Sequence, residues 1–464
     1  MVADMSAGPL AGVRVVELAG IGPGPHCGML LADLGADVVR IDRPGGPSPA
    51  VPPHADIAGR GKRSVIVDLK DPRGLAVARR LVAAADVLIE GYRPGVAERL
   101  GLGPDACWDV NPRLVYGRMT GWGQDGPLAH AAGHDIGYIA ITGALHAIGE
   151  AGGPPRIPVN YVGDFGGGSM FLALGVVSAL LSARATGRGR VVDAAIVDGA
   201  ASLQAMTFGM LASGVWRDER GVNFLDGGAP YYGVYATADG RHMAVGALER
   251  QFYAQFTELL FAPDPVPDGL PGQHDQDRWP ELRSVIAARF ATRTRAEWTK
   301  VFEGTDACVS PVLSMTEAAT HPHLAARGTY VTSGGVLQPA PAPRFSAPAG
   351  AAAPAAPAGD ADAADAARAA GAPRAGAAGP GRAGPIPAPG EHTREILAEL
   401  GVRDIDALLA DGVVSAPAEL RHRGLRYHVF RGGANSYPQG ADISGTLSTA
   451  PRLPADNAEC ALSG

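Results

Sequence analysis

Between Val13 and Met119 short apolar runs alternate with helical stretches, and this alternation constrains the fold more than any other feature of the chain. "VRVVELA" reads as a buried strand, "MLLADLG" as a helix and "ADVVRID" as a second strand. "SVIVDL" (64–69), "PRGLAVARRLVAAA" (72–85), "DVLIE" (86–90) and "RLVYGRM" (113–119) extend the series as strand, helix, strand and strand. The pattern predicts an α/β fold, a Rossmann-like parallel sheet covered by helices, with ligands received beyond the carboxyl ends of its strands.

A chain of 464 residues has room for more than one core. From about Phe224 the character changes. "YYGVYATADGRHMAVGA" predicts two strands joined around Asp239-Gly240, and "RAEWTKVFEGTDACVSPVL" a helix, a turn and a strand. The expected organisation is a large α/β domain over 1–200, a linker helix over 201–224 and a smaller α+β domain over 225–330. The chain then returns to the large domain at 331–338. Residues 339–389 are dominated by Ala, Pro and Gly and are expected to form a flexible linker, because such composition buries too little surface to offset ordering. Leucines at helical spacing predict C-terminal helices of the large domain over 390–415, and 416–464 is expected to be a poorly ordered tail.

The formal net charge of −7 argues against nucleic acid as a partner, although local basic clusters can still hold an anion. Cys27, Cys107, Cys308 and Cys460 lie far apart with no C-x-x-C pair, which argues against a zinc site or a disulfide framework and favours a reducing cytoplasm. The N-terminal stretch lacks a basic start followed by an apolar core, so no signal peptide is expected. The apolar run "MFLALGVVSALL" from Met170 is shorter than a bilayer span and passes into Arg184 and Arg188; it reads as a buried helix, with no membrane as partner.

The turn "GIGPGP" after the first strand is nearly a dinucleotide fingerprint, but counting glycines at n, n+2 and n+5 ends on Pro25 from Gly20 and on Cys27 from Gly22. Pro23 and Pro25 also remove amides that a pyrophosphate would need. Asp42, placed like a ribose-binding acid, is flanked by Arg40 and Arg43. A tight strand-to-helix connection fits better than nicotinamide binding.

Arg40, Arg43, Arg60, Lys62, Arg63, Arg93 and Arg99 suit, as a set at strand ends, a ligand with several phosphates; singly, each is an ordinary surface group. His134 stands beside Asp135 in "AGHDIGY". In "NYVGDFGGGSMF" (160–171) Asp164 precedes three glycines and an apolar helix. It reads either as a helix cap or as a base or nucleophile beside amides able to stabilise an oxyanion. Glu249, at the start of a helix, reads by itself as ordinary dipole complementation.

Together "VVELAGIGPGP", "LADLGADVVRIDRP", "GRGKRSVIVDLK", "AGHDIGY", "VGDFGGG", "LDGGAPYY", "MAVGALERQFY" and "GEHTREILAELG" resemble the family III CoA-transferases, and within them the branch that racemises 2-methylacyl-CoA thioesters. The resemblance covers about 8–338 and 390–414. It implies an acyl-CoA thioester substrate, no metal and no cofactor beyond the CoA of the substrate. It also implies an interlocked homodimer whose active site lies between the large domain of one subunit and the small domain of the other. His134 and Asp164 match the two catalytic acid/base residues, and Glu249 matches an acid that supports the histidine. Arg43, Val67, Asp68, Leu69, Lys70, Arg99, Gly133, Asp135, Ile136, Gly137, Tyr138 and Asn160 match positions that contact CoA or the thioester. The amides of Gly166, Gly167 and Gly168 are candidate enolate stabilisers. The runner-up activity in the family is CoA transfer, with Asp164 as nucleophile. Gly137 stands where the family commonly has Asn, Arg250 replaces a proline, and "CALSG" is not a peroxisomal signal, which agrees with a cytoplasmic location.

Overall fold

The computed structural model describes residues 8–45, 51–346 and 383–417. β1 (Arg14–Leu18), α1 (Pro23–Asp33), β2 (Asp37–Asp42), β3 (Arg63–Val67) and α2 (Pro72–Ala83) follow the alternation seen in the sequence. β4 (Val87–Glu90), the short helices α3 (Val96–Arg99) and α4 (Pro104–Trp108), and β5 (Val115–Thr120) come next. After α5 (Asp135–Ile141), a π-helix over Tyr161–Ser169 runs directly into α6 (Met170–Thr186), and β6 (Val191–Ala195) completes the parallel strands. Their order is β3-β2-β1-β4-β5-β6, that of doubly wound sheets, with the switch point between β1 and β4.

Strands β1 to β5 are buried on both faces, so neighbouring residues feed different cores. Val15, Val38, Val87 and Val115 pack with Leu31 of α1 and with Leu172, Val176 and Leu180 of α6. Val16, Val39, Leu88 and Tyr116 pack with Val77 and Leu81 of α2 on the opposite face. Asp71 caps α2 by accepting a hydrogen bond from the Arg73 amide, with Pro72 at the first helical position.

The later elements are α7 (Ile196–Ser202), α8 (Ala205–Ala212), β7 (Tyr232–Ala236), β8 (His242–Gly246), α9 (Arg250–Phe261), α10 (Trp279–Phe290), α11 (Arg295–Phe302) and β9 (Val309–Pro311). Two short helices, α12 (Met315–Ala318) and α13 (Pro322–Arg327), lead to the hairpin β10 (Tyr330–Ser333) and β11 (Val336–Pro339). β7, β8 and β9 form an antiparallel sheet, its first hairpin turning at Asp239-Gly240, and Tyr235, Met243 and Val245 share a core with Phe256, Phe290, Trp298 and Phe302. The helix expected across 201–224 is confined to α8, because the chain turns at Gly214 and Gly221, both at positive φ.

The ends of the Ala/Pro/Gly segment are placed: the Gly61 amide donates to the Pro385 carbonyl, and Arg60 donates to Gln338 and to the Pro339 carbonyl. Its middle, 347–382, and the tail from 418 onward lie outside the described residues. Beyond the segment, α14 (Thr393–Glu399) and α15 (Ile405–Ala410) add Ile396, Leu397 and Leu409 to the α2 side of the core, and β12 (Val414–Ser415) pairs antiparallel with β3.

The apolar run from Met170 departs from expectation. The π-helix extends it to a continuous helix of 26 residues, Tyr161–Thr186, long and apolar enough to cross a bilayer. Nor is it fully buried. Leu172, Val176, Ala179, Leu180 and Ala183 face inward, while Leu174 and Leu181 are 65% and 66% exposed. The sheet covers one side of the helix only, so among the described residues nothing covers the apolar residues on the other side.

Candidate active site

His134 occupies the residue before α5 with an extended backbone, so its side chain is exposed at the mouth of the helix. Asp135, first in α5, turns inward, and its Oδ1 accepts a 2.7 Å hydrogen bond from the Asp164 amide. A Cβ on Gly163 would lie 2.3 Å from that oxygen, so a glycine is required there. Asp135 thereby ties α5, and His134 with it, to the π-helix that carries Asp164.

Asp164 is half-buried. Its Oδ2 accepts a 3.1 Å hydrogen bond from Asn160 Nδ2. The same oxygen lies against Gly22, where a Cβ would approach to 3.4 Å. Burial raises the pKa of Asp164, the neighbouring Asp135 charge adds to the rise, and the Asn160 hydrogen bond and the nearby His134 oppose it. His134 is thus close enough for its charge to act on Asp164. Tyr138 is also near, since the Asp164 charge raises its pKa after burial does, and its ring packs edge-on against Trp122. A Cβ on Gly133 would lie 2.6 Å from the Tyr138 ring, which accounts for the glycine before His134.

Several sequence expectations change here. Asp164 is not a helix cap: it lies inside the π-helix and makes no capping bond. Asn160, expected at the substrate, has the Asp164 carboxyl as its partner. The glycines after Asp164 serve close packing rather than approach of a ligand. A Cβ on Gly167 would lie 2.6 Å from the Ala200 amide of α7, and one on Gly168 would meet Ile196, Pro23 and Met119. The π-helical ladder runs from the Phe165 amide, donating to the Asn160 carbonyl, to the Met170 amide, donating to the Phe165 carbonyl. The amides of Gly166, Gly167 and Gly168 lie along this π-helical stretch.

Glu249 precedes α9 and is exposed. Its charge acts on Cys308, whose pKa is raised chiefly by burial. Among the described residues no hydrogen bond or ion pair joins Glu249 to His134 or Asp164. Gly137 has open space where a side chain would project, so the change from Asn leaves room rather than filling it. Ile136 is exposed beside it.

The basic set divides. Arg60 pairs with Asp33 at 2.6 Å, Lys62 with Glu17 at 2.6 Å, and Arg63 with Asp37 at 2.8 Å. Arg40 bridges Asp42 and Asp56 at 3.1 and 3.2 Å. These four are committed to the protein itself. Arg43, Arg93 and Arg99 are exposed, and among the described residues no hydrogen bond or ion pair engages them. They follow β2 and β4, and residues 67–70 end and follow β3, so all stand at the carboxyl edge of the sheet where doubly wound folds receive ligands. Lys70 is exposed there, Asp68 holds the Lys70 amide and Leu69 packs on the core. Val67 is fully buried, which leaves only its backbone to meet a ligand.

His26, which the sequence reading passed over, lies in the first turn of α1 against this site: its ring packs on Phe165 and its Nδ1 lies 2.7 Å from Ser169 Oγ. The signal for it was Pro23 and Pro25, which start the helix at once and put His26 beside the strand ends.

The site thus combines exposed arginines at the carboxyl edge of a doubly wound sheet with an aspartate of raised pKa whose charge is felt by a histidine. Known proteins narrow this. Residues 10–363 match the CoA-transferase family III model. The chain is 48% identical over 337 residues to human alpha-methylacyl-CoA racemase, covering 72% of this chain and 86% of that protein. It is 28% identical to mouse succinyl-CoA:glutarate CoA-transferase, covering 88% and 90%. A CAIB/BAIF family protein from Brucella suis has a similar solved structure, with TM-score 0.68 and 26% identity over 85% of this chain and 99% of that one. The chain belongs to CoA-transferase family III. Its likeness to the racemase supports an isomerase.

Proposed function

We propose that the protein interconverts the (2R) and (2S) forms of 2-methylacyl-CoA thioesters by two-base proton transfer. Inversion at C2 needs one group to remove a proton from one face and another to return one to the opposite face, so the two must differ in protonation. In one direction neutral His134 takes the C2 proton, the electron pair of the broken C–H bond passes into an enolate, and protonated Asp164 donates on the far side. The reverse direction exchanges the roles. The observation that carries this reading is the Asp164 carboxyl, whose burial favours the protonated donor and whose charge state is linked to His134. Asn160 holds one carboxyl oxygen, leaving the other for the substrate. The start of α5, with the Asp135 amide, replaces the glycine run as the place for the thioester oxygen.

Arg43, Arg99 and the 67–70 segment suit the CoA phosphates and nucleotide. No further cofactor and no metal is required by this chemistry. A second copy of the chain is the partner that suits the uncovered apolar side of α6 and α8, where Leu174, Leu181, Met206 and Phe208 are exposed. In such a homodimer Glu249 of one subunit would support His134 of the other. Unpaired Cys27 and Cys107, buried as thiols, suit a reducing cytoplasm.

The test is incubation with a single C2 epimer in deuterated water. C2 exchange with inversion, and no acceptor acid, is expected; Asp164→Ala should lower inversion at least ~100-fold while CoA still binds. CoA transfer to a carboxylic acid without C2 exchange would instead assign Asp164 as the nucleophile of a transferase.

A further inference from the structure

A π-helix is a weak scaffold for a catalytic carboxylate. It is uncommon beyond a single turn, and relaxation to an α-helix would advance the register by one residue and swing Asp164 by roughly 100° around the axis. Something outside the segment Tyr161–Ser169 must hold it. Two contacts from α1 converge on it: the His26 ring packs on Phe165 with centroids 4.7 Å apart, and His26 Nδ1 lies 2.7 Å from Ser169 Oγ. His26 therefore grips the residue next to Asp164 and the last residue of the π-helix, about one π-helical turn apart. Ser169 is fully buried and has no other side-chain partner among the described residues.

The grip is itself anchored. The carbonyl of Pro25 accepts a 2.8 Å hydrogen bond from Lys62, which is paired with Glu17 beneath α1. The His26 amide donates to the Gly22 carbonyl at 3.2 Å. Burial, then the charges of Arg60 and Lys62, lower the pKa of His26. That favours the neutral ring, which packs at a 43° tilt on Phe165 without adding a positive charge beside the Asp164 segment.

We infer that His26 is a positioning residue for the proposed racemisation: by clamping Phe165 and Ser169 it holds the π-helical register that presents Asp164 to the substrate. The inference rests on the two-base reading and names a residue that this reading does not require. His26 touches neither substrate nor reacting atoms; it acts through Asp164.

The full-length protein is compared with His26→Ala and His26→Asn, each epimer being followed in deuterated water. His26→Ala should lower kcat for inversion ~10–100-fold with KM within about threefold, the scale of a misplaced catalytic group. His26→Asn, which keeps a polar atom where Nδ1 stood, should recover most of that loss. The ratio of C2 exchange to inversion should rise only from the epimer that His134 deprotonates, because the enolate then returns through His134 when Asp164 is out of place. Equal exchange-to-inversion ratios from both epimers, or undiminished kcat, would overturn the inference. Amide exchange gives a readout without turnover: protection of residues 165–170 should fall in His26→Ala while the strands of the large sheet keep theirs. If the parent protein inverts neither epimer, the racemase reading falls and the clamp is decided by that protection alone, standing if it is lost and failing if it is kept.

Discussion

Two groups of basic side chains, alike in sequence, have opposite fates. Arg60, Lys62 and Arg63 immediately precede or begin β3, whereas Arg43, Arg93 and Arg99 follow β2 and β4. In a parallel sheet the entry and exit of a strand lie at opposite edges. Arg60 and Arg63 are therefore at the edge away from the ligand crevice, where Asp33 at the end of α1 and Asp37 at the start of β2 are waiting for them. Lys62, only 3% exposed, reaches under α1 to a Glu17 that is wholly buried. Among the described residues the second group meets no acid, and its side chains are exposed. A count of cations near strand ends is thus not a count of ligand contacts; which end of the strand they occupy decides.

The comparison breaks if removing a member of the first group leaves folding intact. Lys62→Ala strands a buried carboxylate whose other oxygen, Oε1, already has no hydrogen-bond partner, and should cost about 3–5 kcal/mol in urea unfolding. Replacing Glu17 as well, in Lys62→Met with Glu17→Leu, should restore most of it. Loss of substrate affinity in Lys62→Ala without loss of stability would return Lys62 to the ligand set.

Glu90, at the carboxyl end of β4, sharpens the contrast from the acidic side. It is buried, its nearest cation is Arg118 Nε at 3.7 Å, and burial pushes its carboxyl up to about 7 from an ordinary 4.5. Between those values the folded protein holds a proton that the unfolded chain releases. The stabilisation is complete below about 4.5 and is lost as pH rises through about 7. Glu90→Gln should therefore be more stable than the parent by roughly 2–3 kcal/mol at pH 8 and equal to it near pH 4, measured as thermal unfolding across pH. A parent protein more stable than the variant at pH 8 would show that Arg118 outweighs burial.

The smallest effects belong to the exposed group. Arg43→Ala and Arg99→Ala should each raise KM for an acyl-CoA about tenfold, or ~1.4 kcal/mol, with unfolding unchanged. The effect should shrink in added salt. Unchanged KM in both would remove these arginines from the CoA site.

The alternation from Val13 to Met119 was legible because each strand is buried on both faces, so its composition is nearly all its own. The hairpin at Asp239-Gly240 was legible for a similar reason: a tight turn needs that residue pair whatever surrounds it. His134 and Asp164 were legible as residue types within recognisable motifs. Asn160 lies in the same motif as Asp164, but its other neighbours were not legible, since Asp135 and Gly22 come from separate segments. The glycine run misled because a glycine that admits a ligand and one that admits a neighbouring helix look the same in one dimension; Ala200 of α7 is what Gly167 makes room for.

By itself, then, the sequence determined the strand and helix periods, the failure of the dinucleotide fingerprint and the chemistry of the two acid/base side chains, all of which depend on residues close together in the chain. Only the tertiary structure decided which cations are free, why the opening turn "GIGPGPH" matters and how Asp164 is held. Charge pairing and close packing are settled between segments far apart in sequence, and the parallel sheet determines which of those segments meet.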